Sequence, residues 1–99
     1  MPSDPAGEER FEHDAAGHRF TLSSGTAVAV LDYRAHDSRT LEYYHTFVPP
    51  PMRGRGVASR LVAHALRYAL AQRISVIPTC PFVAAFIRKN SEYAVVLPR

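Results

Sequence analysis

The sequence has few of the features that mark membrane, secreted and metal-binding proteins. No apolar run among its 99 residues approaches the ~20 residues that a bilayer span requires, so we expect no membrane partner. The opening stretch MPSDPAGEER is polar and acidic, unlike a signal or transit peptide. The single cysteine, Cys80, excludes an internal disulfide and a cysteine-based metal site. We therefore expect a cytoplasmic protein without a bound metal.

Lysine is also nearly absent, and positive charge is carried by arginine. Lys89 is the only lysine, and the net charge is +3. The planar guanidinium of arginine suits phosphate, so this balance fits nucleic acid, a phosphorylated cofactor or neither. The hydrophobic fraction of 46% is ordinary for a globular protein. We expect a flexible tail at residues 1–8 and one domain with a core of modest size at residues 9–99.

The first half of the chain has the pattern of short strands. Stretches rich in β-branched and aromatic residues are separated by turns at 15–17 and 23–26 and by a loop at 35–39. The predicted strands are residues 10–14, 19–23, 27–34 and 40–48. Because the connections are short, we expect an antiparallel meander.

The second half changes to a helical period. Apolar residues share one face of a predicted amphipathic helix of about four turns, and they are Ala58, Leu61, Val62, Ala65, Leu66 and Ala69. Residues 74–78 are an apolar stretch that predicts a buried, parallel strand, and Pro81 opens a short helix over 82–90. The order β-β-β-β-α-β-α predicts an α+β, or mixed α/β, fold with one right-handed βαβ crossover.

The segment between the fourth strand and the long helix has the features of a phosphate cradle. Gly54 and Gly56 permit a tight turn into a helix N-terminus, whose free N–H groups and partial positive charge attract anions. Arg53 and Arg55 add formal charge. No Lys-Ser/Thr pair follows, so this is not a Walker A loop. It is not a dinucleotide-binding fingerprint either, because the third glycine of that motif is missing here. The alternative is a plain strand-to-helix connection with solubilising arginines.

This loop resembles that of the GNAT superfamily of N-acetyltransferases. Arg53, Gly56 and Ala58 fit its Arg/Gln-x-x-Gly-x-Gly/Ala signature. The stretches HTFVPPPMRGRG and VIPTCPFVAAFIRKNSEY are similar to small single-domain members that pair His-Thr-x-Val-Pro with Ile-Pro-x-Cys. The resemblance covers residues 41–93. It implies a GNAT-like fold, with helices packed on a mainly antiparallel sheet, and an acetyl-CoA-dependent N-acetyltransferase acting on an unidentified amine.

The resemblance also implies a cofactor site where the strand before the loop splays away from the strand after the helix. The backbone of Phe47 and Val48 would pair with the pantetheine arm, and an N–H there could polarise the thioester carbonyl. The pyrophosphate would be bound by the backbone amides of Arg55, Gly56, Val57, Ala58 and Ser59. Candidates for the outer phosphates, or else for ordinary surface charge, are Arg53, Arg88 and Lys89.

Cys80 and His45 are the candidates for the chemistry. Cys80 precedes a helix, whose N-terminus stabilises a thiolate. It could accept the acetyl group as a thioester, protonate the departing CoA thiolate or line the pocket, and the alternative is an inert buried cysteine. Strand alternation places His45 on one face with Leu41, Tyr43 and Phe47. It could deprotonate the incoming ammonium or activate Cys80, or be structural.

Two departures from the family pattern concern the acceptor side. Larger members often carry a tyrosine in the last helix that can serve as the general acid. This chain has Phe86 in that helix, and Tyr93, Tyr43 or Cys80 could serve as the acid instead. The chain also lacks room for the two helices that usually follow the first strand. We expect an open acceptor side, suited to a bulky amine such as a protein lysine or N-terminus, or a site completed by a second subunit in a homodimer.

Two other functions stay open from the sequence. A non-catalytic CoA or acyl-CoA binding module would bind the ligand without turnover. A small nucleic-acid-binding protein would use the arginine loop, with Tyr43, Tyr44 and Phe47 as stacking platforms. The net charge of only +3 and the acidic residues of the N-terminal half disfavour nucleic acid.

Overall fold

The chain, described here from a computed structural model covering residues 8–98, is built on a five-stranded sheet that follows sequence order. The predicted tail at residues 1–8 lies outside the described residues, apart from Glu8. An antiparallel meander is formed by β1 (Glu9–Asp14), β2 (Arg19–Ser24), β3 (Ala27–Asp37) and β4 (Thr40–Phe47). The last strand, β5 (Ser75–Ile77), pairs with β4 in parallel.

Over residues 8–98, two α-helices and two short 3-10 helices accompany the sheet. They are a 3-10 helix at Pro50–Met52, α1 (Val57–Gln72), α2 (Pro81–Lys89) and a 3-10 helix at Ser91–Val96. The predicted order β-β-β-β-α-β-α and the single parallel crossover are confirmed. None of the helices in residues 8–98 combines the length and the hydropathy that a membrane-spanning helix requires.

The core lies between α1 and one face of the sheet. Alternate residues of β2 and β3 point inward, and the buried ones are Phe20, Leu22, Ala29, Leu31 and Tyr33. The facing stripe of α1 is the predicted one, with Val57 buried in place of Ala58. Each fully buried aliphatic side chain of this layer contributes roughly 1.5–3 kcal/mol relative to exposure.

Two segments differ from the sequence prediction. The loop expected over residues 35–39 is mostly strand, because β3 continues to Asp37 and only residues 38–39 turn. Cross-strand pairs hold this extension, with Glu42 contacting both Arg34 and His36. No element was predicted after Asn90. The structure has a 3-10 helix there, which places Tyr93 and Val96 in the core.

A β-bulge in β4 reverses the predicted faces of its second half. The register pairs Tyr33 with Tyr43 but Asp32 with His45, so β4 carries one extra residue, Tyr44. An extra residue exchanges the two faces of the strand beyond it. The expectation that His45 and Phe47 share a face with Leu41 and Tyr43 is therefore wrong.

The bulge precedes the point where β4 and β5 separate. Their parallel pairing ends at Glu42–Ile77, and one further backbone hydrogen bond joins Cys80 N–H to the Tyr43 carbonyl at 3.0 Å. Beyond Tyr43, β4 continues without β5, which has ended at Ile77. The result is a V-shaped gap between the end of β4 and the start of α2.

Candidate active site

The glycine loop turns β4 into α1 through two residues with left-handed backbone. Gly54 has φ +79° and Gly56 has φ +70°, a region that glycine enters without steric cost. Gly56 is the N-cap of α1, and its carbonyl accepts the helix hydrogen bond from Arg60 N–H at 3.1 Å. The amides of the first turn thus have no acceptor within the helix, and the turn contains no acidic residue. This end of α1 suits an anion.

A cavity of about 230 Å³ opens beside this helix end. Six of the predicted cofactor residues line it, and they are Val48, Arg53, Gly56, Val57, Ala58 and Ser59. Three further lining residues were not predicted: Met52, Gly54 and Phe82. Gly54 was inside the quoted loop, and Phe82 follows the Pro81 helix start, so proximity to those signals could have identified both.

Two arginines of this region make defined contacts. Arg53 Nε donates to the Val48 carbonyl at 2.8 Å, and its Cζ lies 5.8 Å from the Phe47 ring centroid. Arg60 Nη1 donates to the Arg55 carbonyl at 2.7 Å. The same guanidinium pairs with the Glu9 carboxylate, with Nε 3.2 Å from Oε1. Arg60 therefore holds the loop against α1 and ties the start of β1 to it.

Cys80 lies at the apex of the V-shaped gap. It is the N-cap of α2, the residue is 6% exposed, and its carbonyl accepts from Ala84 N–H at 3.0 Å. Its Sγ is 3.4 Å from Thr46 Oγ1, and either atom could be the donor. Thr46, which the sequence did not single out, is thus the polar partner of the thiol. The bulge explains this, because it brings Thr46 onto the buried face opposite Leu31.

His45 lies on the other face of the sheet. It is exposed and pairs across the strands with Asp32, whose carboxylate binds Arg19 at 2.6 Å. Directly opposed residues of an antiparallel pair share a face. The structure therefore does not bring His45 and Cys80 together, and the chemical role of His45 stays a prediction.

The remaining predicted cofactor residues lie outside the cavity lining. Phe47 is 45% exposed, below the Arg53 side chain. Arg55 is exposed in the loop. Arg88 and Lys89 occupy the last turn of α2, about 10 Å along the helix from its start. Their contacts with outer phosphates stay predictions.

The tyrosines suggested as acids are held elsewhere. The Tyr43 hydroxyl donates to the Ala65 carbonyl at 2.7 Å, and burial raises the pKa of Tyr43 far above its usual range. The Tyr93 hydroxyl accepts from Arg67 Nη1 at 3.2 Å. Both hydroxyls therefore bind α1 rather than facing the gap.

A carboxylate on the outer face fixes the segment before Cys80. Thr79 Oγ1 donates to Glu42 Oε2 at 2.6 Å, and His36 lies 2.9 Å from Oε1. The Thr79 hydrogen bond, followed by the His36 contact, holds the pKa of Glu42 below its usual value. Glu42 is therefore an ionised anchor for the connection between β5 and α2. Among residues 8–98, no group of three or more His, Cys, Asp or Glu side chains could hold a metal.

Comparison with known proteins agrees with this geometry. The family model for GCN5-related N-acetyl-transferase matches residues 19–96. The chain is 34% identical over 83 residues to Protein NATD1 of Bos taurus, covering 82% of this chain and 74% of that protein. It is 30% identical over 89 residues to Protein NATD1 of Xenopus tropicalis, covering 88% and 82%.

A solved structure shows the same fold. An NMR solution structure of a GCN5-like protein from Staphylococcus aureus aligns with this chain with a TM-score of 0.68 at 20% identity. The alignment covers 90% of this chain and 87% of that one. The predicted resemblance of the chain to the GNAT superfamily is confirmed by the family model. The chain belongs to the GCN5-related N-acetyltransferase family and is an acetyltransferase by class.

Proposed function

We propose that the protein is an acetyl-CoA-dependent N-acetyltransferase that binds the cofactor diphosphate at the first turn of α1. The observation that carries this proposal is the cavity of about 230 Å³ between the end of β4 and that turn. It combines helix amides, two glycines and one arginine, which are the parts of an anion site. A Cβ on Gly54 would meet no atom within 4 Å, so the space beside the loop is open.

The size of the cavity fits one part of the cofactor. It is smaller than the roughly 300–1,000 Å³ of pockets that enclose drug-sized ligands. We assign it to the diphosphate, and the pantetheine arm to the edge of β4 that lies beyond the last β5 pair. On this proposal the cofactor leads from the glycine loop toward Cys80 and Thr46.

The chain's own groups then favour direct transfer to the amine. Acetyl-CoA supplies the acetyl group as an activated thioester. The Cys80 thiol would hold a proton at the apex of the gap, where the CoA sulfur departs, and Thr46 would orient that thiol. The base needed to make Cys80 a nucleophile is not supplied by His45, which faces the other side of the sheet. The amine attacks in its neutral form, and the C–N bond forms as the C–S bond breaks. The thiolate takes the Cys80 proton, and the proton that the nitrogen loses goes to solvent, which reprotonates Cys80. Positioning supplies most of the rate, because a neutral amine is already nucleophilic.

The acceptor that we propose is an amine on a large molecule, such as a protein lysine or N-terminus. This is supported by the outer face of the sheet, whose residues stay exposed or half-buried in the described part of the chain. Alternatively, a second subunit in a homodimer would complete the acceptor site. Initial rates with lysine peptides, N-terminal peptides and small polyamines would rank the classes. A rate on polyamines above both peptide classes would contradict the assignment.

Calorimetric titration with acetyl-CoA, followed by intact mass, tests the proposal. We expect saturable binding, and no adduct with the mass of one acetyl group. Cys80→Ser keeps a hydroxyl donor, and we expect it to retain more turnover than Cys80→Ala, with both proteins still binding acetyl-CoA. An acetyl adduct that disappears in Cys80→Ala would replace direct transfer by the covalent route. Failure to bind millimolar acetyl-CoA would overturn the proposal.

A further inference from the structure

Arg53 makes a hydrogen bond to the backbone that the binding of a phosphate group would not require. Its Nε donates to the Val48 carbonyl at 2.8 Å, although Arg53 is exposed and water could solvate the guanidinium. Both residues line the same cavity. The side chain is thus folded back onto the strand end instead of extending into solvent.

The hydrogen bond from Arg53 occupies a backbone acceptor at the open end of β4. Val48 follows the last residue of β4, at the end where the strand has no β5 neighbour. Its carbonyl is a backbone acceptor that an amide of an extended ligand would use when pairing with β4. A charged donor makes a stronger hydrogen bond than a neutral amide, so Arg53 competes well for this oxygen.

We propose that Arg53 is a specificity-determining residue that restricts the site to acyl donors carrying a diphosphate. The inference rests on the proposed function, because it takes the diphosphate to bind at the first turn of α1. A diphosphate beside Gly56 draws the guanidinium away by forming charge-assisted hydrogen bonds. The Val48 carbonyl is then available to the pantetheine arm. A donor that ends in pantetheine alone must displace Arg53 without providing a new partner for its charge.

This device predicts opposite effects of one substitution on two ligands. Arg53→Ala removes the competitor, so S-acetyl-pantetheine should bind about fivefold tighter, the ratio that one typical hydrogen bond provides. The same variant should bind acetyl-CoA about tenfold more weakly, because a phosphate partner is lost. Loss of folding would weaken both ligands, so the opposite signs separate specificity from structure. Arg53→Gln is a second variant. Like Arg53→Ala, it should bind S-acetyl-pantetheine more tightly and acetyl-CoA more weakly than the parent protein.

The neighbouring arginine supplies the matched control. Arg55 lies in the same loop and carries the same charge, and its backbone carbonyl is held by Arg60 at 2.7 Å. Arg55→Ala should weaken the binding of acetyl-CoA and leave the affinity for S-acetyl-pantetheine unchanged. Amide chemical-shift titration measures both ligands in the millimolar range. Calorimetry measures the tighter acetyl-CoA complex.

Each outcome decides the inference. Tighter S-acetyl-pantetheine binding in both Arg53 variants, with none in Arg55→Ala, supports it. An unchanged or weaker S-acetyl-pantetheine affinity in the Arg53 variants, while the parent protein binds acetyl-CoA, overturns the inference and leaves the proposed function standing. A parent protein that binds no acetyl-CoA overturns both.

Discussion

Replacing Gly56 by alanine tests the backbone geometry on which the site depends. Gly56 is the N-cap of α1 at φ +70°, ψ +19°. An L-residue with a Cβ is strained by about 1–2 kcal/mol in this left-handed region. The added Cβ would lie 3.5 Å from Arg60 Nη1, which is ordinary van der Waals contact, so crowding adds little. The strain is therefore the main term.

The unfolded chain reduces the net effect. Alanine has fewer unfolded conformations than glycine, which offsets about 0.4–1 kcal/mol of the strain. We expect Gly56→Ala to lose about 1 kcal/mol of unfolding free energy. In a domain of this size, that loss lowers Tm by about 4–8 °C. Urea unfolding gives the free energy, and a thermal melt gives the shift.

Asparagine at the same position is the control. Asparagine enters the left-handed region more readily than alanine, so Gly56→Asn should be more stable than Gly56→Ala despite its larger side chain. Gly54→Ala, at φ +79° with open space around its Cβ, should show a similar loss. A Gly56→Ala protein with the parent's unfolding midpoint would refute the claim that the loop is held in this conformation.

Three other variants, one of them a double substitution, give distinct outcomes. Tyr43→Phe removes the hydroxyl that donates to the buried Ala65 carbonyl, which keeps its donor within α1, and should cost about 0.5–1.5 kcal/mol in urea unfolding. Burial lowers the pKa of His13 and His64 below the usual 6.5. Because the unfolded chain then binds more protons, unfolding free energy should fall as pH drops below about 6.5, and His13→Gln/His64→Gln should flatten this dependence. Thr46→Val should lower kcat while the affinity for acetyl-CoA stays within about twofold, or about 0.4 kcal/mol. An equal loss of kcat and of affinity would contradict the role of Thr46 in orienting the thiol.

Much of the fold follows from local patterns in the sequence. The apolar stripe of α1 repeats at the helical period and is buried, and Pro81 is the first residue of α2. The glycine loop could be located because two glycines and two arginines lie between a strand pattern and a helix pattern. These signals depend on neighbours in the chain, so one sequence is enough to find them.

The predictions that failed depend on contacts distant in sequence. Alternation gave no sign of the bulge at Tyr44, because a bulge is fixed by the register with β3. That one residue moves His45 to the outer face and places Thr46 against Cys80. The extension of β3 to Asp37 depends in the same way on Glu42, a residue of another strand.

Amide chemical shifts of the protein during titration with CoA locate the cofactor site. We predict that the largest shifts fall on the first turn of α1, at Val57, Ala58 and Ser59, whose N–H groups have no acceptor within the helix. Shifts at the far end of α1, around Leu70, should stay small. Largest shifts around Leu70, or on the outer face of the sheet near His45, would contradict the assignment of the glycine loop as the cofactor site.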